Sequence, residues 1–369
     1  MPNSILPSPI KKTSFFVAGS PLPFYYQCIS GAIREIYFSK ISLIHHNGYQ
    51  TENTHPKLIL CSHRNSAFDG YIALKAFPQA QALASIQLLN SRLMRTFFTG
   101  IPVVRKKDRQ RLGVNANTFS SPSDAAIAHI KAGGNLLLFP EGSSEWGFQP
   151  LPYQRGAARI IRTLISEGVV FDIIPMGLFY IAPDKFSSKV EVYIGENIFI
   201  NSQKDNLSTR EWEKNIHTEV STALNKISVN CPNIDIFEKA SAYAFNKNKD
   251  GHSYAESFIA YQNNLDESNN DNQNIERNSQ FPILLLRYIS FLFMYILFPI
   301  LLSSFITSHF ADARNTISFF KILGGAIVAA IWIPILIMLL FFFPIFIGIS
   351  LASALFGFIL IRKKGAQIC

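Results

Sequence analysis

The stretch SPSDAAIAHIKAGGNLLLFPEG, residues 121–142, contains a complete helix-to-strand unit and thereby indicates the fold class. Ser121 can cap a helix that has Pro122 in its first turn, and Gly133 follows the last apolar position as a stop signal. The apolar letters after Gly133 predict a buried strand over residues 135–139. A chain that alternates such helices with covered strands folds as an α/β domain.

Neighbouring segments repeat this pattern on both sides. Helical spacing of apolar residues predicts helices over 24–38 and 155–166, and Ser208 with Glu211 predicts a capping box that starts a third, long helix. ISLIHHNG, PKLILCSHRN and VVFDIIPMGLFY predict strands, and KVEVYIGENIFI predicts a strand pair or one bent strand. We therefore expect one α/β domain whose sheet is largely buried under helices.

The chain divides into five parts by composition. An irregular and helical segment over 1–40 precedes the α/β domain at 41–230, which is followed by a helical extension over 231–262. Residues 263–280 are almost free of apolar side chains, so we interpret them as a polar linker. Residues 281–364 are the predicted transmembrane region, with two or three spans.

The number of spans depends on how the two charge-poor runs, 281–306 and 323–361, are divided. The first run is long enough for one transmembrane helix, and the second is about twice that length. A break near Phe343 and Pro344 gives three spans, which the lengths favour. Two spans are the alternative, and they keep the basic residues from Arg362 onward on the side of the α/β domain, as the positive-inside tendency prefers.

Composition and charge point to lipid rather than nucleic acid as the partner of this chain. Hydrophobic residues make up 48% of the sequence and charged residues only 16%, whereas a soluble domain carries about a quarter charged residues. More than half of the net charge of +9 lies beyond residue 280, where Asp312 is the only acid. Basic residues that flank apolar spans suit lipid headgroups. The four cysteines have no C-x-x-C spacing, so neither a metal site nor a disulfide framework is predicted.

The densest polar cluster is CSHRNSAFDG at residues 61–70, where an apolar strand runs into His63 and Asp69 opens the next helix. If the loop folds back, the Asp69 carboxylate can accept one ring N–H of His63 and leave the other nitrogen as a base. Such a dyad suits removal of a proton from a hydroxyl group. The structural alternative is that His63 is a turn residue and Asp69 a helix N-cap.

Three further clusters lie downstream. TGIPVVRKKDRQR, residues 99–111, places Arg105 and other cations directly after a short extended piece, which suits either a phosphate or a solvated basic loop. FPEGSS, residues 139–144, lies at the carboxyl end of a buried strand, where ligands of open α/β sheets gather. Pro175 interrupts an apolar strand and so marks an edge or a bulge.

In this order and at these distances, the four clusters resemble the motifs of the PlsC-type glycerolipid acyltransferases, the lysophospholipid acyltransferase superfamily, over residues 40–200. The resemblance implies a glycerol-3-phosphate acyltransferase-like fold with a mixed sheet. It makes His63 the general base and Asp69 its orienting partner, in an H-x-N-x-x-x-D form of the first motif. It places Pro175 in the fourth, proline-centred motif. It assigns acceptor binding to five residues: Asn65, Arg105, Glu141, Gly142 and Ser143.

The resemblance also implies the reaction. A fatty acyl group would pass from a thioester to a hydroxyl of a glycerol-phosphate-type acceptor. The thioester would be acyl-CoA or acylated acyl carrier protein. The acceptor expected first is 1-acyl-sn-glycerol 3-phosphate, which gives phosphatidate; glycerol 3-phosphate or another lysolipid is the alternative. No metal and no cofactor beyond the acyl thioester are expected. The chain would be a multi-pass membrane protein that contacts the bilayer and keeps its catalytic domain on the cytoplasmic face.

Two rival hypotheses come from other mechanistic classes. Covalent catalysis would use Cys61, Ser62 or Ser66 as a nucleophile beside His63, although no G-x-S-x-G elbow occurs. A non-enzymatic lipid-binding protein on the same fold would have no need of a base with its orienting acid.

Overall fold

A computed structural model describes residues 17–46, 54–86, 89, 91–104, 121–200, 207–263 and 281–365 of the chain. Its centre is a seven-stranded sheet in the order β1-β7-β6-β2-β5-β3-β4, in which neighbouring strands run parallel except for the antiparallel pair β6 and β7. The sheet is therefore mixed, as expected. The strands are β1 (Phe38–His45), β2 (Lys57–Cys61), β3 (Gln81–Ser85), β4 (Ile101–Val103), β5 (Leu136–Leu138), β6 (Asp172–Tyr180) and β7 (Ser188–Ile194).

The described helices lie between and after these strands. Within the α/β domain they are α1 (Phe24–Tyr37), α2 (Ala67–Ala76), α3 (Arg92–Phe97), α4 (Pro122–Lys131), α5 (Gly156–Ser166) and α6 (Thr209–Ile227). After it come α7 (Ile234–Lys249), α8 (Tyr254–Asn263), α9 (Phe281–Phe293), α10 (Phe298–Ser308), α11 (Arg314–Phe342) and α12 (Pro344–Gly365).

Helices cover both faces of the sheet, so the expectation of an α/β domain with a largely buried sheet is confirmed. Alternate residues of β2 enter different cores: Ile59 packs towards α1 and α2, whereas Leu58 and Leu60 pack towards α4, α5 and α6. Burial on both faces explains why the strand sequence is an uninterrupted apolar run rather than an alternating one.

The two helix N-caps predicted from the sequence are present in the structure. The Ser121 hydroxyl accepts the Asp124 amide at 3.1 Å, with Pro122 in the first turn of α4. Ser208 and Glu211 form the capping box at the start of α6. Each side chain satisfies a backbone amide that has no partner inside its helix.

Pro175 lies in the buried strand β6 at the point where the pairing with β7 ends. Its carbonyl faces the β7 side, where it accepts the Gly195 amide just past the last residue of β7. The N–H and C=O of one strand residue point to the same side of the strand. An amide N–H at position 175 would therefore point towards the end of β7 and not towards β2. The strand therefore loses no ladder bond to the central strand β2.

The C-terminal region contains two helices long and apolar enough to cross a membrane, α11 and α12, separated by the expected break at Phe343. The first apolar run does not form one straight helix. Residues 285–293 and 295–308 are bent by 77° relative to each other. Pro299 has no N–H to donate to the Tyr295 carbonyl, which accepts the Phe298 amide, and the indole of Trp332 donates to the next carbonyl, that of Ile296, at 2.8 Å.

Both ends of the α11–α12 hairpin contact the α/β domain. The α12 side chain of Arg362 donates to the carbonyls of Glu35 and Ser39, on α1 and β1 of the domain. At the other end of the hairpin, Arg314 of α11 is paired with Asp184. Both ends of α11–α12 thus lie on the domain. Of the predicted polar linker over 263–280, residue 263 is the last residue of α8, and residues 264–280 fall outside the described residues.

Candidate active site

His63 and Asp69 are brought together at the carboxyl end of β2. His63 Nδ1 lies 2.8 Å from Asp69 Oδ2, and the His63 ring stacks on Phe139 of the neighbouring β5 loop with centroids 4.2 Å apart. No described residue hydrogen-bonds Nε2, while the His63 side chain lines an open cleft and keeps 18% of its surface exposed. A carboxylate on Nδ1 fixes the tautomer that leaves Nε2 able to accept a proton.

Asp69 is held by donors besides His63. It is completely buried in the first turn of α2; Oδ2 also accepts the Asn65 amide at 2.7 Å, and Oδ1 accepts the Tyr180 hydroxyl at 2.6 Å. Burial raises the pKa of Tyr180 well above its ordinary value, so the phenol remains a donor at any assay pH. A buried carboxylate needs several such hydrogen bonds to remain ionised and in place.

A strained turn makes this contact possible. Ser66 has φ of 49° and ψ of −128°, a region that residues with a side chain seldom occupy. The turn reverses the chain between the end of β2 and the start of α2, so that an acid six positions after the histidine meets its ring. Strain of this kind persists where surrounding contacts over-determine it, often at functional sites.

Glu141 braces the same loop from the neighbouring strand end. Its Oε1 accepts the His63 amide at 2.7 Å and its Oε2 accepts the Leu151 amide at 3.0 Å. Burial raises the pKa of Glu141, and the hydrogen bonds from the two amides oppose that rise. Both oxygens are thus already engaged by backbone, so the glutamate ties the β2 loop to the β5 loop.

The cleft beside His63 has a volume of about 420 Å³. Ser66, Gly142, Ser143 and Ser144 supply its polar edge, and its wall is mainly apolar, with Tyr71, Leu83, Val103, Leu137 and Phe139 among the lining residues. Gly142 has φ of +71°, which suits glycine and turns the backbone at the cleft mouth. An apolar cleft with a few convergent polar groups is the usual form of a small-molecule site.

The predicted acceptor-binding residues do not all face this cleft. Gly142 and Ser143 line it, whereas Asn65 is fully buried and its Oδ1 accepts a hydrogen bond from Ser318 at 2.9 Å. Pro175 is buried in β6 beside Leu60. Arg105 falls outside the described residues. Upstream in the same motif, Gly100 has φ of +146°, and the Ala82 carbonyl leaves no room for a side chain there.

The candidate nucleophiles differ in their access to the cleft. Cys61 is completely buried, and burial raises its thiol pKa well above the ordinary value. The Ser62 hydroxyl accepts the Leu178 amide at 2.9 Å and is buried too. Only Ser66 of the three lines the cleft. A protonated, enclosed thiol is a poor nucleophile, which weakens the covalent hypothesis for Cys61.

Two residues of α11 belong to the site, which the sequence interpretation missed. The buried Ser318 donates to Asn65 Oδ1, and the buried Asn315 donates through Nδ2 to the carbonyl and hydroxyl of Ser144, at 2.8 and 2.9 Å. Phe319 of the same helix contacts Phe98 on the cleft wall. Polar residues in the first turns of a helix that is otherwise apolar were the available signal.

No known family model matches the sequence, and no curated protein matches it. Among solved structures, the 1-acyl-sn-glycerophosphate (LPA) acyltransferase PlsC from Thermotoga maritima is similar to this chain at 16% identity. The overlap covers 55% of this chain and 77% of that chain, with a TM-score of 0.37. So distant a likeness carries no argument about the reaction, which has to be inferred from the site itself.

Proposed function

We propose that this chain is an O-acyltransferase that moves a fatty acyl group from a thioester to a hydroxyl of a glycerol-phosphate-type acceptor. The observation that carries the proposal is the His63–Asp69 contact of 2.8 Å beside an apolar cleft. A histidine held by a buried carboxylate is equipped to take a proton from a hydroxyl, and the apolar wall suits an acyl chain.

The proposed reaction needs no covalent acyl-enzyme. His63 Nε2 takes the proton of the acceptor hydroxyl while the hydroxyl oxygen attacks the thioester carbonyl. The tetrahedral intermediate then collapses, the C–S bond breaks, and the imidazolium returns its proton to the departing thiolate. Asp69 stabilises the imidazolium that forms between these steps.

The membrane helices support an amphipathic acceptor. Because α11 contacts both loops of the site through Asn315 and Ser318, it would hold the cleft within reach of bilayer lipids. The proposed acceptor is 1-acyl-sn-glycerol 3-phosphate, with phosphatidate as product, and the donor is acyl-CoA or acyl carrier protein. The basic residue Arg362 lies on the domain side of α12, which supports a cytoplasmic position for the domain.

The full chain, purified in detergent with lipid, should acylate the acceptor in a thioester-dependent assay followed by product mass. The substitution His63→Ala should lower kcat by about a thousandfold or more, because the base is lost and Asp69 has no imidazolium left to stabilise. The surface substitution His252→Ala provides a matched control that should retain full rate.

Retention of activity by His63→Ala would exclude the proposed mechanism, in which His63 is the base. An acceptor panel distinguishes the substrates: 1-acylglycerol 3-phosphate, glycerol 3-phosphate, and a lysolipid without a terminal phosphate monoester. If Arg105 grips a phosphate, Arg105→Ala should impair the first two acceptors most, and equal loss on all three would count against that role.

A further inference from the structure

A second cavity, of about 150 Å³, lies behind the His63 loop and shares no lining residue with the catalytic cleft. Arg64, the residue after His63, points into it, and Arg314 at the start of α11 closes it from the other side. The remaining wall is largely aromatic, with the hydroxyl-bearing Ser241 and Tyr254 among its residues.

Arg64 is a buried guanidinium group with unsatisfied N–H donors. Only 3% of its surface is exposed, and its Nε and Nη2 atoms hydrogen-bond to none of the described residues. The nearby carboxylates of Glu141 and Asp69 favour its positive charge but do not hydrogen-bond these atoms: Asp69 is bonded to His63, Asn65 and Tyr180, and both oxygens of Glu141 accept backbone amides. Buried N–H donors without a hydrogen-bond partner are uncommon in folded proteins, so their presence here points to a missing ligand.

Arg314 adds a second positive charge to the same cavity. The Arg64 and Arg314 guanidinium carbons lie 4.6 and 5.0 Å from the centre of the Trp146 ring, and Arg64 also lies 5.7 Å from the Phe237 ring. Arg314 itself pairs with Asp184 at 2.8 Å. Aromatic faces hold the guanidinium groups in position without using their N–H donors.

We propose that this cavity binds a phosphate group, either that of a phosphate monoester or inorganic phosphate. A tetrahedral oxyanion fits its volume, whereas a fatty acyl chain is too large for it. Planar guanidinium groups recognise phosphate oxygens through paired N–H donors. The binding test is independent of the proposed acyl transfer, because binding can be measured without turnover.

The test uses the full chain in detergent and measures binding of inorganic phosphate and of sn-glycerol 3-phosphate by calorimetry, with glycerol as the uncharged control. Arg64→Gln should weaken binding of both anions at least tenfold. Arg159→Gln, at an exposed position on α5, should bind as the unmodified chain does. Arg314→Gln at the cavity mouth serves if Arg64→Gln does not fold, and it should weaken binding as well.

Steady-state kinetics identify the source of the phosphate. If the acceptor supplies it, Arg64→Gln raises the KM for phosphate-bearing acceptors and inorganic phosphate competes with them. If inorganic phosphate is itself the ligand, it changes kcat without competing with the acceptor. Absence of phosphate binding by the unmodified chain overturns the proposal, as does binding that neither Arg64→Gln nor Arg314→Gln weakens.

Discussion

Asp69 shows how one residue acquires its properties from distant parts of the chain. Its histidine partner lies six positions away, but Tyr180 reaches it across 111 positions of sequence. The spacing of His63 and Asp69 indicated the first contact. Nothing in the local sequence indicated the second, because it depends on β6 lying next to β2 in the sheet.

We expect Tyr180→Phe to lower kcat about tenfold, the equivalent of about 1.4 kcal/mol, with little change in KM. The substitution removes the 2.6 Å hydrogen bond to Asp69 Oδ1 and leaves the contact of His63 intact. Hydrogen bonds to charged groups contribute about 1.5–3 kcal/mol, part of which the remaining donors recover. The measurement is the steady-state rate at saturating acceptor.

Tyr193→Phe is the control, since Tyr193 lies on the adjacent strand β7 away from the dyad. If Tyr180→Phe alters only the melting temperature and leaves kcat unchanged, Tyr180 has no positioning role in catalysis.

Among the helices, α11 combines two tasks that are usually separate. Its apolar length is sufficient for a membrane span, while its first turns place Asn315, Ser318 and Phe319 against the loops and wall of the site. Anchoring by hydrophobicity alone does not require buried hydrogen bonds between the helix and the domain. The contacts couple the position of the membrane helix to the geometry of the His63 loop.

Ser318→Ala should lower kcat about tenfold and destabilise the domain by about 1–3 kcal/mol. The buried amide of Asn65 already has an unbonded Nδ2, and the substitution would leave its Oδ1 unbonded as well. Asn65 donates its backbone N–H to Asp69, so the disturbance reaches the dyad. Activity in detergent and the melting temperature are both measured.

Ser318→Thr keeps the hydroxyl and should restore most of the rate. Ser308→Ala, at an exposed position that ends α10, should change neither quantity. A Ser318→Ala variant with an unchanged kcat would show that α11 anchors the chain without affecting the reaction.

Over the whole molecule, the C-terminal helices leave the domain and return to it. Arg287 in the middle of α9 donates to the Phe186 carbonyl, and Ser187 donates to the Ile361 carbonyl near the end of α12. The bent pair α9–α10 also returns, since α10 packs along the first half of α11 through Ser303, Ser304 and Thr307. We propose from this arrangement that α11 and α12 form one hairpin of two spans and that the bent pair α9–α10 is re-entrant.

We therefore expect both ends of the α11–α12 hairpin on the same side of the membrane. A membrane-impermeant thiol reagent applied to sealed vesicles should label the exposed Cys28 and the C-terminal Cys369 from one side. In Phe343→Cys, the introduced thiol at the turn should react from the opposite side. Peptide mass spectrometry assigns the labels.

Detergent-opened vesicles provide the control, because there all three positions should react. Labelling of Cys369 and Cys28 from opposite sides would support the three-span alternative.

Sequence alone determined what depends on short-range physics: the capped helices α4 and α6, the doubly buried strands, the break at Phe343 and the pairing of His63 with Asp69. These features rest on side chains within a few positions of one another, so spacing and residue type suffice. Tertiary structure decided the rest. The donation of Tyr180 to Asp69, the buried Arg64 beside Arg314, and the contact of Ser318 with Asn65 all join residues far apart in the chain. Such contacts depend on strand order and helix docking, which hydrophobic patterning does not specify.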